Sequence, residues 1–263
     1  MLQVHSLLWH YLWIAPSVLL FVLSFLIWKR GLAKQVPAFF AFAILSAISE
    51  LAVYAADVLP SVSPRFFWKI VWASLVIEGV LKFVLIGEIF AHVFGSYASL
   101  ARLGRLLIRT LGGVLVLVAT AAAAYAPQGS RFGIISGAHL LEQTTYLIES
   151  GLLVFIFLMS FYFHLAWERR LFGITLGLSI SSCVHLASWA LIDNGGLPNS
   201  MRTILVFVNM ATYHVCVLIW WYYLLVPPKV RNTRKDPPQD PPASPPVEDL
   251  EAWNQEMERL LHR

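Results

Sequence analysis

Long apolar stretches alternate with short polar segments along most of the chain. An α-helix needs roughly 20 apolar residues to cross the hydrocarbon core of a bilayer. Seven stretches approach or exceed that length, and they lie at residues 11–28, 37–58, 68–92, 106–126, 139–165, 171–192 and 203–226. The pattern predicts an all-α membrane protein, a seven-transmembrane-helix bundle that occupies residues 1–226.

The composition supports the bilayer as the protein's surroundings. Of the 263 residues, 58% are hydrophobic and 13% are charged, whereas a soluble domain carries about 25% charged residues. A water-soluble monomer is therefore excluded, and two cysteines are too few for a disulfide scaffold. The net charge of +4 lies mainly in short connections and in the last 35 residues, so we expect no nucleic-acid partner.

The basic residues predict the orientation in the membrane. Twelve Lys and Arg residues follow the first, third, fifth and seventh stretches, and four lie on the other side. Because cytoplasmic connections are enriched in Lys and Arg, the N-terminus is expected outside and the C-terminus in the cytoplasm of a bacterial cell (inner) membrane. Residues 1–10 hold no Lys or Arg, so we expect a retained anchor rather than a cleaved signal. Trp9, Trp13 and Trp189 fall at predicted outer ends and are interpreted as interfacial anchors.

Six ionisable residues fall near mid-depth of the predicted spans. A charged side chain at the bilayer centre costs at least about 2.5–3.5 kcal/mol, so these residues are expected to face the bundle interior rather than lipid. They are Glu50, Glu78, Lys82, Glu149, His185 and His214. Together they form the candidate ligand or proton site.

Two interpretations of this cluster remain open. Glu78 and Lys82 are four residues apart with the acid first, which is the favourable order for an ion pair on one helix face. Either this pair is structural and fixes helix packing, or it belongs to a proton or polar-ligand site in which Glu50 or Glu149 competes for Lys82. Glu142, Tyr146 and Glu149 also form a polar stripe along the fifth span.

The sequence offers no pattern for catalysis or metal binding. It lacks the G-x-S-x-G, H-E-x-x-H and phosphate-binding glycine motifs. His185 and His214 lie on different spans without a repeated histidine spacing, so hydrogen-bonded histidines are expected rather than a haem or metal site. We expect no catalytic residues, no metal and no cofactor.

The C-terminal tail divides into two segments. Residues 227–246 contain eight of the fourteen prolines, which predicts a semi-rigid cytoplasmic linker. Residues 247–263 predict a short acidic amphipathic helix whose apolar face includes Leu250, Trp253, Met257 and Leu260. That face is the expected docking surface for a cytoplasmic protein partner, and the alternative is a marginal helix without a partner.

Several short motifs resemble those of a known group of proteins. They are Glu88-Ile89-Phe90, Val93-Phe94, Tyr97, Leu103-Gly104, Arg109 and Phe172-Gly173-Ile174. With them the chain resembles a group of uncharacterised bacterial seven-helix integral membrane proteins. The resemblance covers roughly residues 5–226 and implies an inner-membrane helical bundle. It carries over no functional residues, since that group has no assigned activity.

Two functions fit the sequence. The first is a non-enzymatic receptor-like or scaffold protein, in which the mid-membrane cluster binds a small polar ligand or a proton and the tail docks a partner. The second is a small-solute or proton-coupled transporter that uses the same cluster.

Overall fold

A computed structural model describes residues 6–95, 98–125, 131–165, 167–193, 198–227, 255 and 257–259. Within these ranges the chain is helical. The helices are α1 (Leu7–Lys29), α2 (Pro37–Val58), α3 (Pro64–Val93), α4 (Ala98–Tyr125), α5 (Arg131–Tyr162), α6 (Arg169–Asp193) and α7 (Asn199–Leu225), with a short 3-10 turn at Leu32–Lys34.

Six of these helices are long and apolar enough to cross a membrane, and they are α1, α2, α3, α5, α6 and α7. The prediction of an all-helical fold with several helices able to span a membrane is therefore confirmed. The predicted bounds of α2 agree with the structure, but α4 begins at Ala98 rather than at residue 106. Hydropathy detects the apolar part of a helix, whereas backbone hydrogen bonds continue through polar turns such as the one around Arg102.

Local sequence accounts for several helix ends. Ser6 and Ser63 precede α1 and α3, and each hydroxyl accepts a hydrogen bond from a backbone N–H three residues later. No side chain of its own caps the start of α2. Instead Glu88 of α3 accepts a hydrogen bond from the backbone N–H of Ala38 at 2.8 Å, so a distant helix caps this one.

The helices form a closed ring with one helix outside it. Around the ring each helix packs against the next in the order α1, α2, α3, α5, α6, α7 and back to α1. α4 packs against α3 and α5 from outside the ring. We call the end of the bundle where α1 begins the amino end, and the end where α7 finishes the carboxyl end.

Arginines hold the carboxyl end together. Arg30 donates a hydrogen bond to the carbonyl of Leu225 at 2.9 Å, and Arg169 donates one to the carbonyl of Val226 at 2.8 Å. Arg170 donates to the side chain of Gln35. The carbonyls at the end of α7 thus accept hydrogen bonds from Arg30, which directly follows α1, and from Arg169, the first residue of α6. Such partners are expected for the unsatisfied carbonyls of a helix C-terminus.

α6 and α7 pack closely because glycines face large rings. A Cβ atom on Gly173 would lie 2.2 Å from the Cβ of Tyr223. A Cβ atom on Gly177 would lie 2.3 Å from Nε1 of Trp220, whose own side chain is buried. These small residues let the two backbones approach, and they seat Trp220 in the centre of the ring.

Candidate functional site

A cavity of about 330 Å³ lies inside the helix ring. Every ring helix contributes to its lining, which makes it the meeting point of the six elements. The lining residues are Trp9, Leu12, Trp13, Phe42, Ser46, Glu50, Glu78, Lys82, Glu142, Tyr146, Leu178, Ser181, His185, Trp189, Val206, Asn209, Met210, Tyr213 and Trp220.

Aromatic rings mark the two limits of this cavity. Trp9 and Trp13, in the first two turns of α1, lie toward the amino end. Toward the carboxyl end lies Trp220, which packs edge-on against Phe42 at 5.9 Å between centroids. Its indole N–H donates to the carbonyl of Ile174 at 3.2 Å. The ring is therefore fixed in place as the floor of the cavity.

Lys82 forms a buried ion pair between two helices. Its Nζ lies 3.3 Å from Oε2 of Glu149 on α5, and Glu149 is fully buried. The same Nζ lies 4.5 Å from the centroid of the Tyr146 ring. The ion pair thus differs from the one that the Glu78–Lys82 spacing suggested. The packing of α3 against α5 brings Glu149 to Lys82, and that packing is invisible in the spacing along α3.

Glu78 instead ends a chain of hydroxyl groups. Ser46 on α2 donates a hydrogen bond to Oε1 of Glu78 at 3.0 Å, and its Oγ lies 3.4 Å from the hydroxyl of Tyr213 on α7. A serine hydroxyl has one proton to donate. Since that proton goes to Glu78, the Tyr213 hydroxyl donates to Ser46, and the chain connects α7, α2 and α3.

The other two lining carboxylates accept hydrogen bonds from indoles. The Trp13 Nε1–H donates to Oε2 of Glu50 at 3.0 Å and joins α1 to α2. A side-chain hydrogen bond likewise joins Trp189 of α6 to Glu142 of α5. Both indoles are neutral donors, so they orient the carboxylates without balancing their charge.

His185 occupies the wall beside the buried ion pair. Its ring stacks on Tyr146 at 4.7 Å between centroids. Its Nδ1 lies 2.9 Å from the carbonyl of Ser181, and because a carbonyl only accepts, Nδ1 carries the proton. In the neutral imidazole the remaining nitrogen, Nε2, is then an acceptor.

Five of the six predicted site residues come together. Glu50, Glu78, Lys82 and His185 line the cavity, and Glu149 lies behind Lys82 as its ion-pair partner. His214 does not join them. Its ring packs 5.7 Å from that of Tyr11, a side chain on the outer surface of the bundle. The histidine follows Tyr213 by one residue, a turn of about 100° around α7, and so points away from the cavity.

Sequence reasoning missed several contributors. Glu142 belongs to the predicted polar stripe of α5 but not to the six predicted site residues, and it lines the cavity. The sequence favours interfacial anchors at Trp13 and Trp189, whereas in the structure both indoles donate to cavity carboxylates. Ser46 and Tyr213 carried no signal, because single hydroxyl residues are common in membrane helices and only packing reveals their partners.

The arrangement suits ligand binding more than metal coordination. Among the described residues, no group of three or more His, Cys, Asp or Glu side chains is placed to hold a metal ion. The cavity offers instead separated carboxylates, one ammonium group already paired, and a wall of aromatic rings.

The predicted docking face of the tail is only partly described. Leu250, Trp253 and Leu260 lie outside the described residues. Met257 is described, and it packs against the hydrophobic core of the bundle. One position of the proposed docking face is therefore in contact with the protein itself.

Comparisons with models of known protein families, with curated proteins and with solved structures give no match. Any function must accordingly be argued from the cavity.

Proposed function

We propose that this protein is a non-enzymatic, receptor-like membrane protein that binds a small polar ligand in the cavity inside its helix ring. One observation carries the proposal. A single cavity collects ionisable side chains from α2, α3, α5 and α6 within an otherwise apolar bundle. Pockets of roughly 300–1,000 Å³ with a few convergent polar groups are the usual form of small-molecule sites.

A structural role alone does not account for this set of groups. Burial of an ion costs several kcal/mol even after the protein relaxes. The pair of Lys82 and Glu149 needs no third partner to be neutral, yet Glu50, Glu78 and Glu142 also line the cavity. Ligand binding would explain why three further carboxylates line the cavity, whereas helix packing alone does not.

In this proposal α4 is a seventh span. α3 and α5 run in the same direction, since Lys82 contacts Glu149 and, about two turns further along both helices, Phe90 stacks on Phe155. The chain must therefore return to the amino end between them. α4 has 28 residues, or about 42 Å of helix at 1.5 Å per residue, which exceeds the roughly 30 Å hydrocarbon core.

The proposal places the amino end outside and the carboxyl end in the cytoplasm of a bacterial cell membrane, as the distribution of Lys and Arg favours. The Trp9 and Trp13 limit of the cavity then lies toward the outside, and the tail lies on the opposite side of the membrane. A partner that docks on the tail helix would replace the contact of Met257 with the bundle core.

Occupancy of the cavity should then change partner binding to the tail. Leu12 lines the cavity, whereas Leu7 on the same helix is 90% exposed. A photo-crosslinking residue at position 257 reports the partner in cells, and Leu12→Trp adds a bulky ring that narrows the cavity. Coupling of typical size changes the affinity for the partner by about 5–150-fold, so the crosslink yield should change in Leu12→Trp and stay at the level of the unmodified protein in the matched control Leu7→Trp. Equal crosslink yields in the unmodified protein, in Leu12→Trp and in Leu7→Trp would contradict the receptor role.

A transporter is the second candidate, because ionisable groups near the membrane midplane are also typical of substrate sites in transporters. Deletion of residues 247–263 distinguishes the two. The receptor proposal expects the deletion to abolish partner recovery. A transporter that uses the same cavity keeps its uptake without the tail.

A further inference from the structure

The cavity has an excess of acidic over basic groups. Glu50, Glu78 and Glu142 line it, and among its described lining residues Lys82 is the one lysine or arginine. The charge of Lys82 is already matched by Glu149 at 3.3 Å. The three lining carboxylates therefore face a space to which the described lining residues supply no further lysine or arginine.

The hydrogen bonds of these carboxylates orient them but do not neutralise them. Glu50 accepts from an indole N–H at 3.0 Å, and Glu78 accepts from a hydroxyl at 3.0 Å. Glu142 is hydrogen-bonded to the indole of Trp189. An ionised carboxylate has about four acceptor sites, so each of these groups keeps the capacity to accept N–H donors from a ligand.

Aromatic rings form much of the remaining wall. Trp9, Trp13, Tyr146, Trp189, Tyr213 and Trp220 all line the cavity. The faces of such rings attract ammonium groups, and Lys82 already demonstrates this contact, with its Nζ 4.5 Å from the centroid of Tyr146. Hard metal cations prefer cages of oxygen ligands, so an aromatic wall favours an organic cation.

We propose that the ligand of this cavity is a small organic cation, an amine whose ammonium group binds between Glu50 and Glu142 and whose apolar body lies toward the floor formed by Phe42 and Trp220. This inference rests on the proposed ligand-binding function and adds the chemical class of the ligand. The volume of about 330 Å³ lies at the small end of the range for ligand pockets.

Three probes of matched shape and different charge test this assignment on the full-length protein in lipid nanodiscs. They are 2-phenylethylamine, 2-phenylethanol and phenylacetate, which are cationic, neutral and anionic at neutral pH. A bound ligand raises the temperature of unfolding according to its affinity. The amine is expected to raise it and to bind at least about thirtyfold more tightly than the alcohol, the factor that corresponds to about 2 kcal/mol for a buried charge pair.

Matched variants locate the binding site. Glu50→Gln and Glu142→Gln keep an oxygen acceptor for the indole donors and remove the charge, so each should weaken amine binding at least about thirtyfold. Glu168→Gln removes an exposed carboxylate at the carboxyl end and should leave amine binding unchanged. The probe comparison in the unmodified protein needs no variant and stands even if a variant fails to fold.

The outcomes separate this inference from the proposed function. Preference for phenylacetate, or equal binding of amine and alcohol, overturns the cationic class while leaving a ligand-binding cavity in place. Amine binding that is unaffected by both cavity variants overturns the site. If none of the probes binds, the cationic assignment is overturned, and the receptor role still stands when Leu12→Trp alters crosslinking at position 257. Both proposals fail when neither effect is found.

Discussion

At the scale of single residues, the defining contact is the ion pair of Lys82 with Glu149. Spacing along α3 favoured Glu78 as the partner of Lys82, because residues four apart share a helix face. The structure places the stronger contact across two helices, at 3.3 Å. Glu78 is thereby left to the hydroxyl chain through Ser46 and to the cavity.

The buried pair should matter strongly for stability. Lys82→Met leaves the fully buried Glu149 without its counter-ion, and this should lower the free energy of unfolding by about 3–5 kcal/mol. Glu149→Gln should have a similar effect. The double variant should recover part of the loss, because no charge then remains unpaired. Denaturant unfolding of the purified proteins gives the coupling through a double-mutant cycle.

The exposed pair of Arg170 and Glu168, 3.9 Å apart, provides the control for that cycle. Glu168→Gln should change the free energy of unfolding by only about 0–1 kcal/mol. Equal effects of Glu149→Gln and Glu168→Gln would show that the buried pair contributes no more than a surface one.

The sequence predicts which residues belong to the site better than it predicts how they are arranged. An ionisable residue inside an apolar stretch is conspicuous, and this revealed Glu50, Lys82 and His185. The direction of a side chain around its helix depends on neighbouring helices. His214 and Glu142 were misjudged for that reason, since one points away from the cavity and the other into it.

At the scale of helices, the closest packing is that of α6 against α7, and it also builds the cavity floor. Gly177 lies against Trp220, whose ring is held by Ile174 and packs against Phe42. The same contact therefore sets the helix separation and the position of the floor.

A single methyl group at Gly177 should disturb both. Gly177→Ala places a Cβ atom 2.3 Å from Nε1 of Trp220, and overpacking of this kind costs about 1–3 kcal/mol. Thermal unfolding should show the loss, and tryptophan fluorescence should report a changed environment for the indole.

Gly151 on α5 is the matched control, because a Cβ atom there would meet no atom within 4 Å. Gly151→Ala should be neutral, or stabilising by up to about 1 kcal/mol, from the higher helix propensity of alanine. A loss of stability at Gly151 equal to that at Gly177 would contradict the packing explanation.

At the scale of the whole molecule, the arrangement of the helices around the ring could not be predicted from the sequence. Hydropathy locates membrane-spanning helices and fixes their order along the chain. The ring omits α4, so that α3 and α5 become neighbours, and this depends on side-chain packing over the length of three helices. That adjacency brings Lys82 to Glu149.

The number of membrane crossings can be tested from the side of the membrane on which each of three positions lies, since every crossing changes the side. If α4, α5, α6 and α7 all cross the membrane, residues 97 and 226 lie on the same side and residue 128 on the other. In the proposed orientation, which the distribution of Lys and Arg favours, residues 97 and 226 lie in the cytoplasm. Alkaline phosphatase, which is active only outside the cytoplasm, should therefore be active when fused after residue 128 and inactive when fused after residue 97 or 226. Matched expression of the three fusions, checked by immunoblotting, is the control.

One outcome would contradict the seven-span proposal. If the fusion after residue 226 is active and the fusions after residues 97 and 128 are inactive, α4 does not cross the membrane. The proposed cytoplasmic location of the tail would then be wrong, because only α5, α6 and α7 would separate residue 128 from residue 226.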